Sequence, residues 1–214
     1  MEIKVCGMRD PENIRKLITE VAPNWMGLIF YPKSPRFVPD KLAPEISMTD
    51  VPKVGVFVNQ SVEEIVDKAE NFKLSAIQLH GAEPVEFVEE LAGKVDAEVW
   101  KVISVDQNIS WTNLEGYIPF VSKFLFDTAT PAHGGSGRKF DWKVLETYPF
   151  DKGFLLSGGL DGDSAGEILD LARRVGQLQG VDLNSKFEDA PGFKNIEKLK
   201  DFKQRLIHSE AGNH

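Results

Sequence analysis

Only one cysteine, Cys6, occurs among the 214 residues, so no disulfide can form within the chain. Histidine is scarce too. There are four, and two of them, His208 and His214, fall in the last seven residues. That leaves little from which to build a His/Asp metal cluster, and no metal is expected. No long apolar run and no signal-peptide pattern is present, so a soluble, cytoplasmic chain with no membrane partner is expected. Positive charge is in deficit: 25 Lys and Arg stand against 33 Asp and Glu, a net charge of −8. A nucleic-acid partner would need a basic stripe and is not expected. An anionic small molecule remains compatible, because a few local groups suffice to bind one phosphate. No G-x-G-x-x-G follows the first apolar run, which argues against a dinucleotide cofactor.

What is present is an alternation. Short apolar runs at 3–6, 26–30, 53–58, 76–80, 99–103, 123–127, 154–157 and 180–183 read as parallel strands buried on both faces. Helical spacing lies between them at 11–21, 61–72, 84–92, 164–174 and 195–206, with a weaker stretch at 111–118. Asp10 before Pro11 marks one helix start, and Ser61-Val62-Glu63-Glu64 reads as a capping box. Eight strand–helix units in this length average about 27 residues each, which predicts an α/β fold of a single (β/α)8 TIM barrel. An open doubly wound sheet is the structural alternative. The barrel is assigned to residues 1–207 as one domain, with 208–214 as a polar, frayed tail.

In such a barrel the chemistry sits where strands end. The first run ends in Cys6-Gly7, the fourth in His80-Gly81, the sixth in Asp127, the seventh in Ser157-Gly158-Gly159, and the eighth carries Asp182, Asn184 and Ser185. A lone cysteine is more often a small buried hydrophobe than a base. As a base Cys6 needs to be a thiolate, favoured by a cationic or dipolar neighbour. Asp127 reads either as a loop cap or as an acid whose proton is retained by apolar walls. Closure would set strand 8 between strands 1 and 7, so Cys6 and Asp127 would flank the strand 7–8 loops, the recurrent phosphate site of this fold. Gly158, Gly159 and the backbone of Asn184 and Ser185 would then face a phosphate. Arg36 reads as a carboxylate clamp or an ordinary surface arginine. His80 reads as a substrate contact or a structural hydrogen-bonder. The glycine-rich segment at Gly134, Gly135, Ser136 and Gly137 reads as a lid or a plain linker.

The ordered series Lys4-Val5-Cys6-Gly7, Gly27-Leu28-Ile29-Phe30 through Ser34-Pro35-Arg36, Val54 to Asn59, Gln78-Leu79-His80-Gly81, Asp127-Thr128, Phe140-Asp141-Trp142, Leu156-Ser157-Gly158-Gly159 and Val181-Asp182-Leu183-Asn184-Ser185 resembles the phosphoribosylanthranilate isomerase family over nearly the whole chain. Ser136, Asn184 and Lys186 depart from its usual Thr, Ser and Gly. The resemblance implies an Amadori rearrangement of N-(5-phosphoribosyl)anthranilate to 1-(2-carboxyphenylamino)-1-deoxyribulose 5-phosphate in tryptophan biosynthesis. It also implies Asp127 as the acid on the ring oxygen, Cys6 as the base at sugar C2, and Arg36 on the anthranilate carboxylate. The phosphate would lie on Gly158, Gly159 and Asn184–Ser185, with His80 and Asp182 lining the site. No metal or organic cofactor is implied, and the chain would act as a monomer or homodimer. The alternatives are a related sugar-phosphate isomerase, which would carry Asp in place of Cys6, and an inactive barrel that only binds a phosphorylated ligand.

Overall fold

Strands that are apolar on both faces must be covered on both, and a closed sheet ringed by helices does this. The computed structural model describes residues 1–128 and 142–211, with side chains described through 207. Its eight parallel strands close in sequence order. They are β1 Glu2–Val5, β2 Trp25–Ile29, β3 Lys53–Phe57, β4 Ala76–Leu79, β5 Glu98–Ser104, β6 Lys123–Asp127, β7 Phe154–Ser157 and β8 Leu178–Leu183. Closure is made by β1 on β8, where Ile3 pairs Val181, Lys4 pairs Asp182 and Val5 pairs Leu183. The barrel is the one expected, and the open sheet is excluded.

The helices are α1 Pro11–Lys16, α2 Ala43–Ile46, α3 Val62–Phe72, α4 Val85–Ala92, α5 Ala165–Arg174 and α6 Ile196–Ala211. The Asp10 side chain accepts from Asn13 N at 2.8 Å and starts α1. After Lys16 the helix widens into a π turn, Leu17–Val21, and ends at Ala22 with φ 48. The Ser61–Glu64 capping box is formed in both directions. The stretch after β5 is a 3₁₀ turn, Trp111–Tyr117, and a second one, Trp142–Thr147, precedes β7. These two turns are held by side chains. Trp111 packs on Phe126 and Tyr148, and its Nε1 donates to Thr147 Oγ1 at 2.8 Å. The glycine-rich segment at 134–137 lies outside the described residues.

Two cores result. The larger lies between strands and helices. The smaller fills the barrel with Val54, Ala76, Trp100, Val102, Leu125 and Leu155. Its amino-terminal floor is a plug of aromatics and charge. Trp25 meets Trp100 edge-on at 4.8 Å, and Lys123 Nζ lies 5.2 and 4.9 Å from the two rings. Glu2 receives Lys123 at 3.1 Å and Trp25 Nε1 at 3.0 Å. With the floor sealed, the carboxyl-terminal end is the one left to be hollow. No helix among the described residues is long and apolar enough to cross a membrane.

Trp100 is fully buried within this plug. Trp100→Ala is expected to cost about 3–5 kcal/mol. Urea unfolding should show a lowered midpoint, and an unchanged midpoint would remove the plug's structural role.

Candidate active site

Side chains alternate in and out along a strand, so the last inward residue of each strand points into the mouth. There, residues from the ends of every strand but β5 line one cavity of about 230 Å³. Cys6, His80, Asp127, Gly158, Gly159, Asp182, Asn184 and Ser185 all lie in its wall. Arg36 is absent from that wall.

Cys6 follows β1, and its N–H donates to Leu183 O at 2.9 Å. Its thiol is buried beneath the cavity, 3% exposed. A Cβ on residue 27 would come within 2.8 Å of Cys6 Sγ, so glycine on β2 is what gives the thiol its room. The space beside Gly7 is filled by protein, since a Cβ there would meet Arg36 Cδ at 2.7 Å and Asn184 Oδ1 at 2.9 Å. Burial pushes the Cys6 thiol above its ordinary value. Lys4 pulls it back down, Asp182 adds to the rise, and Lys194 again lowers it.

Lys4 is wholly buried in β1 and donates to Asp182 Oδ1 at 2.8 Å. Asp182 thus faces the cavity while paired to a charge from the neighbouring strand. Across the mouth, Asp127 ends β6, and its Oδ2 lies 3.8 Å from His80 Nε2 at the end of β4. Its side chain is 29% exposed, so the expected apolar enclosure is only partial. A position at the strand's last residue, on the rim, accounts for this.

On the β7–β8 side, Gly158 has φ 100 and Gly159 φ 67, a left-handed pair that turns the backbone in a way L side chains resist. Asn184 opens the 3₁₀ turn Ser185–Phe187. Lys186, on that turn, also lines the cavity.

Arg36 does make a bidentate carboxylate pair, but with Glu188. Its Nε donates to Oε1 and Oε2 at 2.9 and 3.1 Å, and its Nη2 to Oε2 at 2.6 Å. Glu188 also receives Gly192 N at 3.2 Å and the ammonium of Lys194. Burial raises the Glu188 pKa, but the bonds from Arg36 and Lys194 overcome it and hold the carboxyl below its ordinary value. Lys194 Nζ further donates to Asn184 Oδ1 at 2.9 Å. A small hairpin, Glu188–Ala190 with Phe193–Lys194, delivers both Glu188 and Lys194.

Three site residues escaped the sequence reading. Lys4 enters the sequence analysis only as part of Lys4-Val5-Cys6-Gly7, and Lys194 and Glu188 carry no role in it. A signal for Lys4 was present: it and Asp182 are lone opposite charges inside apolar runs that closure makes neighbours. Gln78 is a fourth, buried in the cavity wall, and its Oε1 has no hydrogen-bond partner among the described residues. No group of three or more His, Cys, Asp or Glu among the described residues could hold a metal ion.

Fold and cavity together put the molecule among the (β/α)8-barrel enzymes that work at the carboxyl-terminal mouth. The family model for N-(5'phosphoribosyl)anthranilate (PRA) isomerase matches residues 3–205, and the chain belongs to that family. The N-(5'-phosphoribosyl)anthranilate isomerase of Parabacteroides distasonis is 41% identical over 212 residues, covering 97% of this chain and 94% of its own. The crystal structure of phosphoribosyl anthranilate isomerase from Thermotoga maritima superposes with a TM-score of 0.82 at 33% identity, covering 97% of this chain and 99% of that one. A further solved phosphoribosyl anthranilate isomerase, in complex with reduced 1-(o-carboxyphenylamino)-1-deoxyribulose 5-phosphate, has a TM-score of 0.79 at 29% identity over 97% of this chain and 99% of its own.

Because a methyl group at position 27 would collide with Cys6 Sγ, Gly27→Ala is expected to cost about 1–3 kcal/mol through overpacking. Chemical denaturation checks this, and a variant as stable as the parent would show that Cys6 has room to move.

Proposed function

We propose that this chain isomerises N-(5-phosphoribosyl)anthranilate to 1-(2-carboxyphenylamino)-1-deoxyribulose 5-phosphate, the step its family performs in tryptophan biosynthesis. The observation that carries the residue roles is that a thiol, a carboxyl and a positive-φ glycine pair share one cavity. Such a substrate is anionic at both ends, with a phosphate on the sugar and a carboxylate on the ring. Held at both ends, its sugar carbons lie between the two reacting groups, which is how positioning lowers a barrier.

The phosphate sits on the backbone of Gly158, Gly159, Asn184 and Ser185, where N–H groups reach its oxygens and Lys186 adds charge at the rim. Asp127 protonates the ring oxygen, the bond from that oxygen to C1 breaks, and a Schiff base forms. His80, beside Asp127, contacts the opened sugar. Cys6 takes the proton from C2. The enolamine becomes the ketone as C1 gains a proton and the C2 hydroxyl loses one, so no atom is gained or lost overall. Arg36, its plane fixed by Glu188, offers Nη1 to the anthranilate carboxylate. Asp182 lines the floor and holds Lys4.

Each proton-transfer group is expected to contribute ~10²- to 10⁴-fold. Loss of substrate fluorescence should therefore show Cys6→Ala and Asp127→Asn each slowed by at least ~10²-fold in kcat. Near-normal turnover by either variant would end that residue's assignment. Arg36→Ala should mainly raise KM, and an unchanged KM would remove the clamp.

The pH dependence has a definite sign. Burial raises the Cys6 thiol above its ordinary value, so the base form is a minority at neutral pH and grows as pH rises. kcat/KM should climb between about pH 7 and about pH 9. A profile that falls over that window would exclude Cys6 as the base of the free enzyme.

A further inference from the structure

A buried ammonium is costly unless paired, and one that is kept beside a reactive group invites a role. Lys4 is 0% exposed, and its partner Asp182, 7% exposed, lines the cavity. Lys4 also acts on the Cys6 thiol two residues further along the chain, where its positive charge favours the thiolate. Strand alternation puts both on the inner face. The geometry points to Lys4 as the positioning residue that makes Cys6 a usable base. Its ammonium, held in place by Asp182, bonds the thiolate as the thiolate forms. This rests on the proposed role of Cys6.

The other charges around Cys6 define how much falls to Lys4. Asp182 on β8 opposes ionisation of the thiol. Lys194 favours it from the hairpin, but Lys194 is already committed to Glu188 and Asn184. Arg36 lies near and is bound to Glu188. His80 and Asp127 face the cavity from β4 and β6. Lys4 is therefore the cation that most favours the thiolate. It also stays charged. Burial works against its protonation, but Asp182 and Cys6 outweigh burial and lift its pKa above the ordinary value.

Having one cysteine makes the test direct, because all thiolate absorbance in the chain belongs to Cys6. Ultraviolet titration of the parent, with the Cys6→Ser titration subtracted, gives the midpoint of Cys6 ionisation. In Lys4→Met, which keeps the length of the side chain and removes its charge, that midpoint should rise by about 1 unit or more. kcat/KM at neutral pH should fall about tenfold per unit and recover toward the parent value in alkaline buffer. A merely structural lysine would lower activity at every pH without moving the midpoint.

Lys4→Met leaves Asp182 buried and unpaired, so Lys4→Met/Asp182→Asn is the companion variant, with no buried charge left over. Its midpoint should fall below that of Lys4→Met yet stay above the parent's. If Lys4→Met does not fold, the double variant decides alone against the parent. A parental midpoint in either variant overturns the proposal. Failure of Cys6 as the base would appear separately, as normal turnover in Cys6→Ala, while the titration still reads the effect of Lys4.

Discussion

Hydrogen bonding between β1 and β8 is the constraint on which the site depends. It joins the two ends of the chain, setting Lys4 opposite Asp182 and passing Cys6 N to Leu183 O. Without it, Cys6 would be a buried thiol on an edge strand, and Lys4 and Asp182, 178 residues apart in the chain, would not meet. With it, the first strand lies directly beside the glycine-lined loops that follow β7 and β8. β6 is only one strand beyond β7, so Asp127 reaches the same cavity from the far side. The aromatic plug at the floor completes the arrangement by confining open space to the mouth.

The two reacting groups then sit in different surroundings. Cys6 lies deep, where burial opposes its charge and neighbouring lysines favour it. Asp127 lies at the rim beside His80, partly open to solvent. In the proposed reaction the groups have opposite tasks, and the depth difference suits them. A thiolate in a water-poor place is a strong base, while a carboxyl at the mouth can be reprotonated between turnovers. The balance at Cys6 is between burial, which costs the anion several kcal/mol in general, and the charges of Lys4 and Lys194, which offset part of that cost. Arg36 illustrates the same economy of charge on a smaller scale: Glu188 orients its fork, and Lys194 and Gly192 orient Glu188.

Much of this is legible in the sequence. Strands buried on both faces carry mostly apolar runs, so all eight can be read from the sequence, with ends shifted by a residue or two. Polar residues that end such runs, such as Cys6 and Asp127, marked the mouth. Legibility failed where contacts depend on closure or on short irregular elements. Lys4 reads locally as an interruption of Ile3-Lys4-Val5, and only the pairing with β8 gives it Asp182. Arg36 and Glu188 lie 152 residues apart, and no local pattern couples them. The hairpin that brings in Lys194 is built from strands of three and two residues, too short to show a period. The 3₁₀ turn at Trp111–Tyr117 has a helix-like pattern but is held by the Trp111 contacts with Phe126, Tyr148 and Thr147.

The most direct test of the central claim is a crystal structure of this chain with reduced 1-(o-carboxyphenylamino)-1-deoxyribulose 5-phosphate bound. The account predicts the phosphate on the N–H groups of Gly158, Gly159, Asn184 and Ser185, with Cys6 Sγ and the Asp127 carboxyl on opposite sides of the sugar chain. A ligand seated with its phosphate elsewhere, or with its sugar out of reach of either group, would contradict it.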